Sequence, residues 1–235
     1  MKKICLIFII ILLLLDIVLV TAFVKFVSYS EHKESNNPIC DVINNVCEIT
    51  VDEGKKGTGT GIYIGSNKIL TCNHLIDERN PEIKHAIKVK FYHTNDWNEC
   101  TVIKASEKDD LLLLKLNQKK ANNMLSSVTF GNKDSITLGM EVYSIGNTLG
   151  NGLSVSKGIV SCTYKKVVRS SSKKMGVIQT NISIENGDSG GPIFNEKGEI
   201  IGINSFRLLD SYGNPTYASS YAISIKEIEE FLFRN

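Results

Sequence analysis

Proline is scarce in this chain, with four in 235 residues, and tryptophan occurs once. So few prolines exclude a polyproline rod or a collagen-like repeat. An excess of one charge is also missing: 27 Lys and Arg stand against 25 Asp and Glu, a net charge of +2. Nucleic-acid binding asks for a strong basic stripe, so no nucleic-acid partner is expected. No unit of roughly 20–50 residues recurs, which excludes solenoids and propellers. The six cysteines include no CxxC pair, and His32, His85 and His93 fall in no ligand spacing. A metal site is therefore not expected, and no cofactor is implied. Cys5 lies in an apolar run, leaving Cys40, Cys47, Cys72, Cys100 and Cys162. An odd set leaves at least one thiol without an intramolecular partner, while Cys40 and Cys47 are near enough in sequence to bridge.

What the chain does have begins with that run. From Ile4 to Val24 it is almost wholly apolar, interrupted by Asp16 and Thr21. As a helix this stretch spans roughly 30 Å, the thickness of a bilayer core. Asp16 costs about 3 kcal/mol on insertion scales, which the Leu, Ile and Val residues outweigh. A signal peptide is the rival reading, but its apolar core is usually shorter and Thr21-Ala22-Phe23-Val24 is a poor cleavage site. A retained transmembrane helix is favoured. Lys2 and Lys3 precede it without an acid, while Lys25, Glu31, Lys33 and Glu34 follow with mixed signs. The N-terminus is thus expected in the cytoplasm and the remainder outside it. Residues 1–27 form the tip and anchor, and polar residues 28–47 a connector.

Residues 48–235 read as one all-β domain. Short β-type runs recur between Gly, Asn, Asp and Ser clusters, among them Gly61–Ile64, Lys68–Thr71, Ile87–Phe91, Leu111–Leu116, Val142–Ile145, Gly158–Ser161 and Glu199–Ile203. That pattern predicts sandwiches or barrels. The length suits two small barrels, about 48–125 and 126–235, each with its own core. One helix closes the chain: Ser224 is placed to cap it, and Ile225, Ile228, Phe231 and Leu232 share a face.

The chemistry lies in Gly187-Asp188-Ser189-Gly190-Gly191-Pro192. This turn puts a hydroxyl where little side-chain bulk blocks approach, and it can aim the Gly187 and Ser189 amides at one point as an oxyanion hole. A serine needs a base and an orienting carboxylate. His74 ends one β-run and Asp110 precedes another. Each alone is more often structural, but the order His, Asp, Ser is that of chymotrypsin.

Taken together these residues resemble the HtrA (Deg) family of chymotrypsin-fold serine proteases. The likeness runs through Gly57-Thr58-Gly59-Thr60-Gly61, the His74 segment, Asp110–Leu116, Ser144-Ile145-Gly146-Asn147 with Leu149-Gly150, Lys157–Ser161, Ile178–Asn181, the Ser189 turn, Gly198–Ser205 and Tyr221-Ala222-Ile223. It implies a chymotrypsin-like double β-barrel with Ser189 as nucleophile, His74 as base and Asp110 as its orienter. It implies Gly187 and Ser189 amides at the oxyanion, and Ile203-Asn204-Ser205 beside the substrate backbone as an added strand. Ser183, six residues before Ser189, matches the base of the S1 pocket; being small and uncharged, it would not pair with Lys or Arg, and the family tends toward small or medium aliphatic P1 residues. Polypeptides are the implied substrates, unfolded or extended ones by analogy, and a homotrimer is a common assembly in the family.

Two departures stand out. Asp188 replaces the family's usual Asn. An aspartate there pairs with a newly cut N-terminus in trypsin-like zymogens, but no such activation junction precedes this domain, so another partner is required. The PDZ domain that the family commonly appends is not expected between the closing helix and Asn235. Two alternatives use the same fold: a secreted glutamyl-endopeptidase-like protease with a pocket for acidic P1 residues, and a non-catalytic binding or holdase domain.

Overall fold

The computed structural model describes residues 16–21, 37–52, 57–76, 86–92, 94–117, 125–168, 174–209 and 212–234. The chain divides into two compact units, Met1–Asn37 and Pro38–Asn235. In the first, residues 16–21 are helical and exposed, while the rest of the expected anchor lies outside the described residues. Among the described residues no helix is long and apolar enough to cross a membrane.

The second unit starts ten residues before the expected end of the connector. Helix α1 covers Pro38–Ile43, with proline at its first position, where the missing N–H costs nothing. Val42 and Val46 are apolar and buried, which draws this segment into the domain. Asn45 fixes it further: its Nδ2 donates to Asp41 O, and its Oδ1 accepts from Ser126 N at 3.0 Å.

Six antiparallel strands then close the first barrel: β1 Val46–Val51, β2 Gly57–Gly65, β3 Lys68–Cys72, β4 Ile87–Phe91, β5 Asn98–Ser106 and β6 Leu111–Leu116. Their order around the barrel is β1-β2-β3-β6-β5-β4. A second closed barrel holds β7 Glu141–Gly146, β8 Ser154–Val168, β9 Lys174–Thr180, β10 Pro192–Asn195, β11 Ile200–Leu209 and β12 Pro215–Ser224, ordered β10-β11-β12-β9-β8-β7. Small barrels of this kind are filled by side chains rather than hollow. Ile49, Ile62, Ile69, Leu70 and Leu114 are buried in the first, and Ile145, Ile178, Phe194 and Ile203 in the second. Leu111 to Leu114 are all buried although successive strand side chains face opposite ways, so both faces of β6 are covered. Burying each such side chain contributes roughly 1.5–3 kcal/mol.

Helix α2, Ile225–Phe233, closes the chain with Ile225, Ile228 and Phe231 buried and Leu232 partly so. Ser224 stands at its N-cap but forms no capping bond. It is also the last residue of β12, in register with Gly202, so the sheet sets its direction and its hydroxyl is buried without a partner. At the other end of α2, Arg234 donates to the buried Asp109 at 3.3 Å, and its carbonyl accepts from Lys104 Nζ. Cys40 and Cys47, near enough in sequence to bridge, do not do so. Neither forms a disulfide, nor do Cys72, Cys100 and Cys162; Cys47 is drawn into the barrel, where its Sγ faces Gly61 O. Burial pushes the Cys47 thiol well above its ordinary value and Cys100 up to about 12, so neither is a ready thiolate.

Candidate active site

Strand pairing assembles the base and its carboxylate. β3 and β6 are antiparallel neighbours with Cys72 opposite Leu111. The residues just past the end of β3 therefore meet those just before the start of β6. A 3₁₀ turn over Asn73–Leu75 carries His74 there, and Asn73 N donates to Asp110 O at 3.0 Å. Asp110 adopts a φ of 54°, a left-handed conformation that aspartate tolerates better than most residues. His74 N donates to Asp110 Oδ1 at 3.0 Å, and Nδ1 lies 2.9 Å from Oδ2. An ionised carboxylate only accepts, so Nδ1 carries the proton and Nε2 keeps its lone pair.

Ser205, on β11 of the second barrel, joins the rest. Its hydroxyl donates to Asp110 Oδ2 at 2.5 Å, and its carbonyl accepts from Ser189 Oγ at 3.3 Å. Ser205 thus bonds both to Asp110, which holds His74, and to Ser189, linking the two barrels through one residue. Asp110 is buried, whereas the His74 side chain is 31% exposed, so the base is open to a substrate.

Glycine makes the nucleophile turn feasible. Gly187 has a φ of 97°, and a Cβ there would sit 2.0 Å from Asn147 O. Gly190 has a φ of 88° and would place a Cβ 2.1 Å from Thr60 O. The peptide planes are held from outside. Leu149 N donates to Asn186 O at 2.7 Å; N–H and C=O oppose each other across a trans peptide, so the Gly187 N–H faces away from Leu149. Thr60 Oγ1 donates to Gly187 O at 2.6 Å and accepts from Asn147 N at 2.8 Å. Among the described residues, the Gly187 and Ser189 amides donate to no backbone carbonyl, which leaves them for an oxyanion.

Asp188 has found internal partners. Its Oδ1 accepts from Thr148 Oγ1 at 2.8 Å and its Oδ2 from Glu185 N at 2.8 Å. Burial pushes its carboxyl above the ordinary value, opposed by those two donors.

The expected substrate strand begins later than Ile203. Ile203 is paired with Pro192 on one side and Ile223 on the other. Asn204 N donates to Gly191 O, and Asn204 O accepts from Gly190 N; its side chain is spent on Ser144 Oγ. Both residues are buried inside the sheet, because β10 and the turn before it run alongside them. Of the three, Ser205 alone touches the catalytic cluster.

Ser183 lines a tight recess, together with Ile182, Ile184, Arg207, Thr216, Ser219 and Ser220, that leaves no free room for even a water molecule while Arg207 lies across it. Arg207 spans it: Nη1 donates to Ile184 O at 2.9 Å and pairs with Glu185 Oε1. Cys72 Sγ, His74 Nδ1 and the Asp110 carboxylate lie within 4.8 Å of one another, but Cys72 faces Asn204 O at 3.1 Å and the other two are bonded together. An ion would have to displace the bond that orients the base. Thr60, Thr148 and Arg207 were not singled out as site residues from the sequence. The Gly-Thr-Gly-Thr-Gly run held Thr60 in plain view, but nothing local to it signals a bond 127 residues away.

Residues 59–203 match the trypsin-like peptidase domain family, and the chain belongs to it. Among the named relatives the chain resembles are serine proteases of the HtrA or Do type. It is 32% identical over 161 residues to a probable periplasmic serine protease do/HhoA-like of Haemophilus influenzae, covering 68% of this chain and 33% of that one. It is 32% identical over 166 residues to the serine protease Do-like HtrA of Bacillus subtilis, covering 67% and 35%. The chain thus spans about a third of the length of these relatives. Among solved structures, an HtrA-type protease, AlgW, with a tripeptide superposes with a TM-score of 0.68 at 23% identity, covering 83% of this chain and 61% of that one. The Rv3671c protease of M. tuberculosis in an inactive form gives 0.68 at 16% identity, covering 84% and 92%. These two likenesses concern the double-barrel fold.

Proposed function

We propose that this chain is a membrane-anchored serine endopeptidase whose catalytic domain works outside the cytoplasm on unfolded or extended polypeptides. The observation that carries the catalytic reading is the cluster around Ser205, where Asp110, bonded to His74, and Ser189 both converge. Ser189 leaves the Ser205 carbonyl, gives its proton to His74 Nε2 and attacks the scissile carbonyl. The Gly187 and Ser189 amides bind the oxyanion; one such donor is typically worth about 3–4 kcal/mol of barrier lowering. Asp110 holds the imidazole in the required tautomer and stabilises its charged form. His74 then protonates the leaving amine, and water repeats the sequence on the acyl-enzyme. An extended substrate would lie along β11 from Ser205 onward, past the last residue paired with β10. Anchoring is supported by the apolar run Ile4–Val24, and the extracytoplasmic site by the charge pattern beside it and by relatives named as periplasmic.

The test uses the full chain in detergent micelles. A fluorophosphonate is expected to label Ser189 and to leave Ser189→Ala unlabelled, with hydrolysis falling by about 10⁵–10⁶. A folded chain that takes no label overturns the catalytic reading and favours a holdase. Retention in membranes after alkaline extraction supports the anchor, whereas a mature protein starting beyond Val24 defeats it. Sedimentation in the same micelles decides whether the chain forms the trimer common in its family.

A further inference from the structure

We propose that Arg207 makes this peptidase prefer a carboxylate side chain at P1, the residue whose carbonyl Ser189 attacks. The inference rests on the peptidase reading and departs from the small aliphatic preference that the family resemblance implies.

Three observations point the same way. First, the recess that Ser183 lines, six residues before Ser189, is walled by the hydroxyl residues Thr216, Ser219 and Ser220 and the Arg207 guanidinium as well as Ile182 and Ile184, and the acid nearby, Glu185, is held on Arg207. Second, Arg207 lies across it. The residue stands on the β11 wall, two positions after Ser205, yet its Nη1 donates to Ile184 O on the facing wall. A side chain entering the recess therefore meets the cation. Third, the hydroxyl of Ser219 is set to donate. Lys165 Nζ donates to Gln179 Oε1 at 2.9 Å, which turns the Gln179 amide so that Nε2 donates to Ser219 Oγ at 2.9 Å. With its oxygen accepting that bond, Ser219 still has its own proton to offer. A carboxylate only accepts, and a guanidinium fork is its natural complement.

Glu185 now occupies Arg207, with the two side chains 31% and 21% exposed. Glu185 is thus near enough to water to swing out, and an incoming P1 carboxylate would take its place. Arg207 would exchange one anion for another and never lose a partner. An aliphatic P1 residue makes no such exchange: it would crowd polar N–H groups that it cannot satisfy, and sites built for hydrogen bonding reject analogues lacking the group.

Matched peptides differing at P1 test the idea on the full chain in micelles. Glu and Asp at P1 should exceed Gln and Asn in kcat/KM by about tenfold or more, the size of a charge-assisted bond. Arg207→Ala should bring that ratio close to one, Arg207→Lys should restore part of it, and Glu185→Gln should raise the rate on acidic P1 by removing the competitor. The proposal is overturned by a wild type that prefers Val or Leu at P1, or by an acid-to-amide ratio that Arg207→Ala leaves unchanged. Fluorophosphonate labelling of Ser189 accompanies every variant. Labelled enzyme with an unmoved ratio defeats the preference alone, while unlabelled wild type defeats the peptidase reading beneath it.

Discussion

Thr148 donates its hydroxyl hydrogen to Asp188 at 2.8 Å, one residue before Ser189. The next residue, Leu149, sends its amide to Asn186 O. Two consecutive residues of one 3₁₀ turn therefore grip both ends of the Asn186–Asp188 segment that flanks Gly187. A carboxylate at position 188 needs donors, and here they come from this turn and from Glu185 N.

Asp188→Ala should be far worse than Asp188→Asn. Alanine leaves the Glu185 N–H unmatched, at about 1–3 kcal/mol, and releases the Thr148 hydroxyl to Ser154 Oγ, 3.0 Å away, so the turn loses its tie to residue 188. Asparagine keeps an oxygen for Glu185 N and turns its amide donor to Thr148. Urea unfolding and kcat on one peptide check this. The grip on the turn is refuted if alanine and asparagine behave alike.

Asp188 also sets a pH dependence. Burial raises its carboxyl above the ordinary 3.8. Between that value and the raised one, the folded chain holds the proton more tightly than the unfolded chain. Stability from this group is therefore full below the ordinary value and is lost as pH rises through the raised one. Relative to Asp188→Asn, the wild type should gain stability as pH falls from about 7 toward about 4. The difference in unfolding free energy across a pH series measures it; a level difference would remove the assignment.

Thr60→Val tests the other clamp. The side chain keeps its shape but strands Gly187 O and Asn147 N, each bonded to Thr60 Oγ1 within a buried site. A cost of about 1–3 kcal/mol per group is expected, with kcat falling more than KM rises because the oxyanion donors act in the transition state. Unchanged kcat in a folded variant would show that Thr60 serves stability alone.

Ser205→Ala removes one donor from the triad carboxylate while leaving the Ser205 carbonyl in place. A hydrogen bond to a charged group is worth about 1.5–3 kcal/mol, so kcat/KM should drop by about 10–100-fold. Steady-state kinetics on a single substrate reads this directly. A smaller loss would mean that His74 alone suffices to hold Asp110.

Much of this site was legible before any coordinates. His74 at the end of a β-run and Asp110 before another stood out only through their order with the glycine-lined Ser189 turn, and the structure joins His74 to Asp110 and both Asp110 and Ser189 to Ser205. Closed barrels followed from short apolar runs with turn residues between them. What stayed hidden depends on distant pairing. Ile203 and Asn204 looked like a substrate edge, and only the register with Pro192 and Gly191 shows that edge already taken. Arg207 follows Phe206 in a strand with no local sign that its side chain crosses to Ile184 O. Ser224 reads as a helix cap because its hydroxyl precedes an apolar period; the sheet that claims it is visible only in three dimensions.

The tie between Arg234 and Asp109 has its own consequence. Asp109 is the chain neighbour of Asp110, so one ion pair holds the end of α2 beside the residue bonded to His74. Losing Arg234 would leave the buried Asp109 carboxylate resting on Ser106 and Lys108 beside the residue that bonds His74.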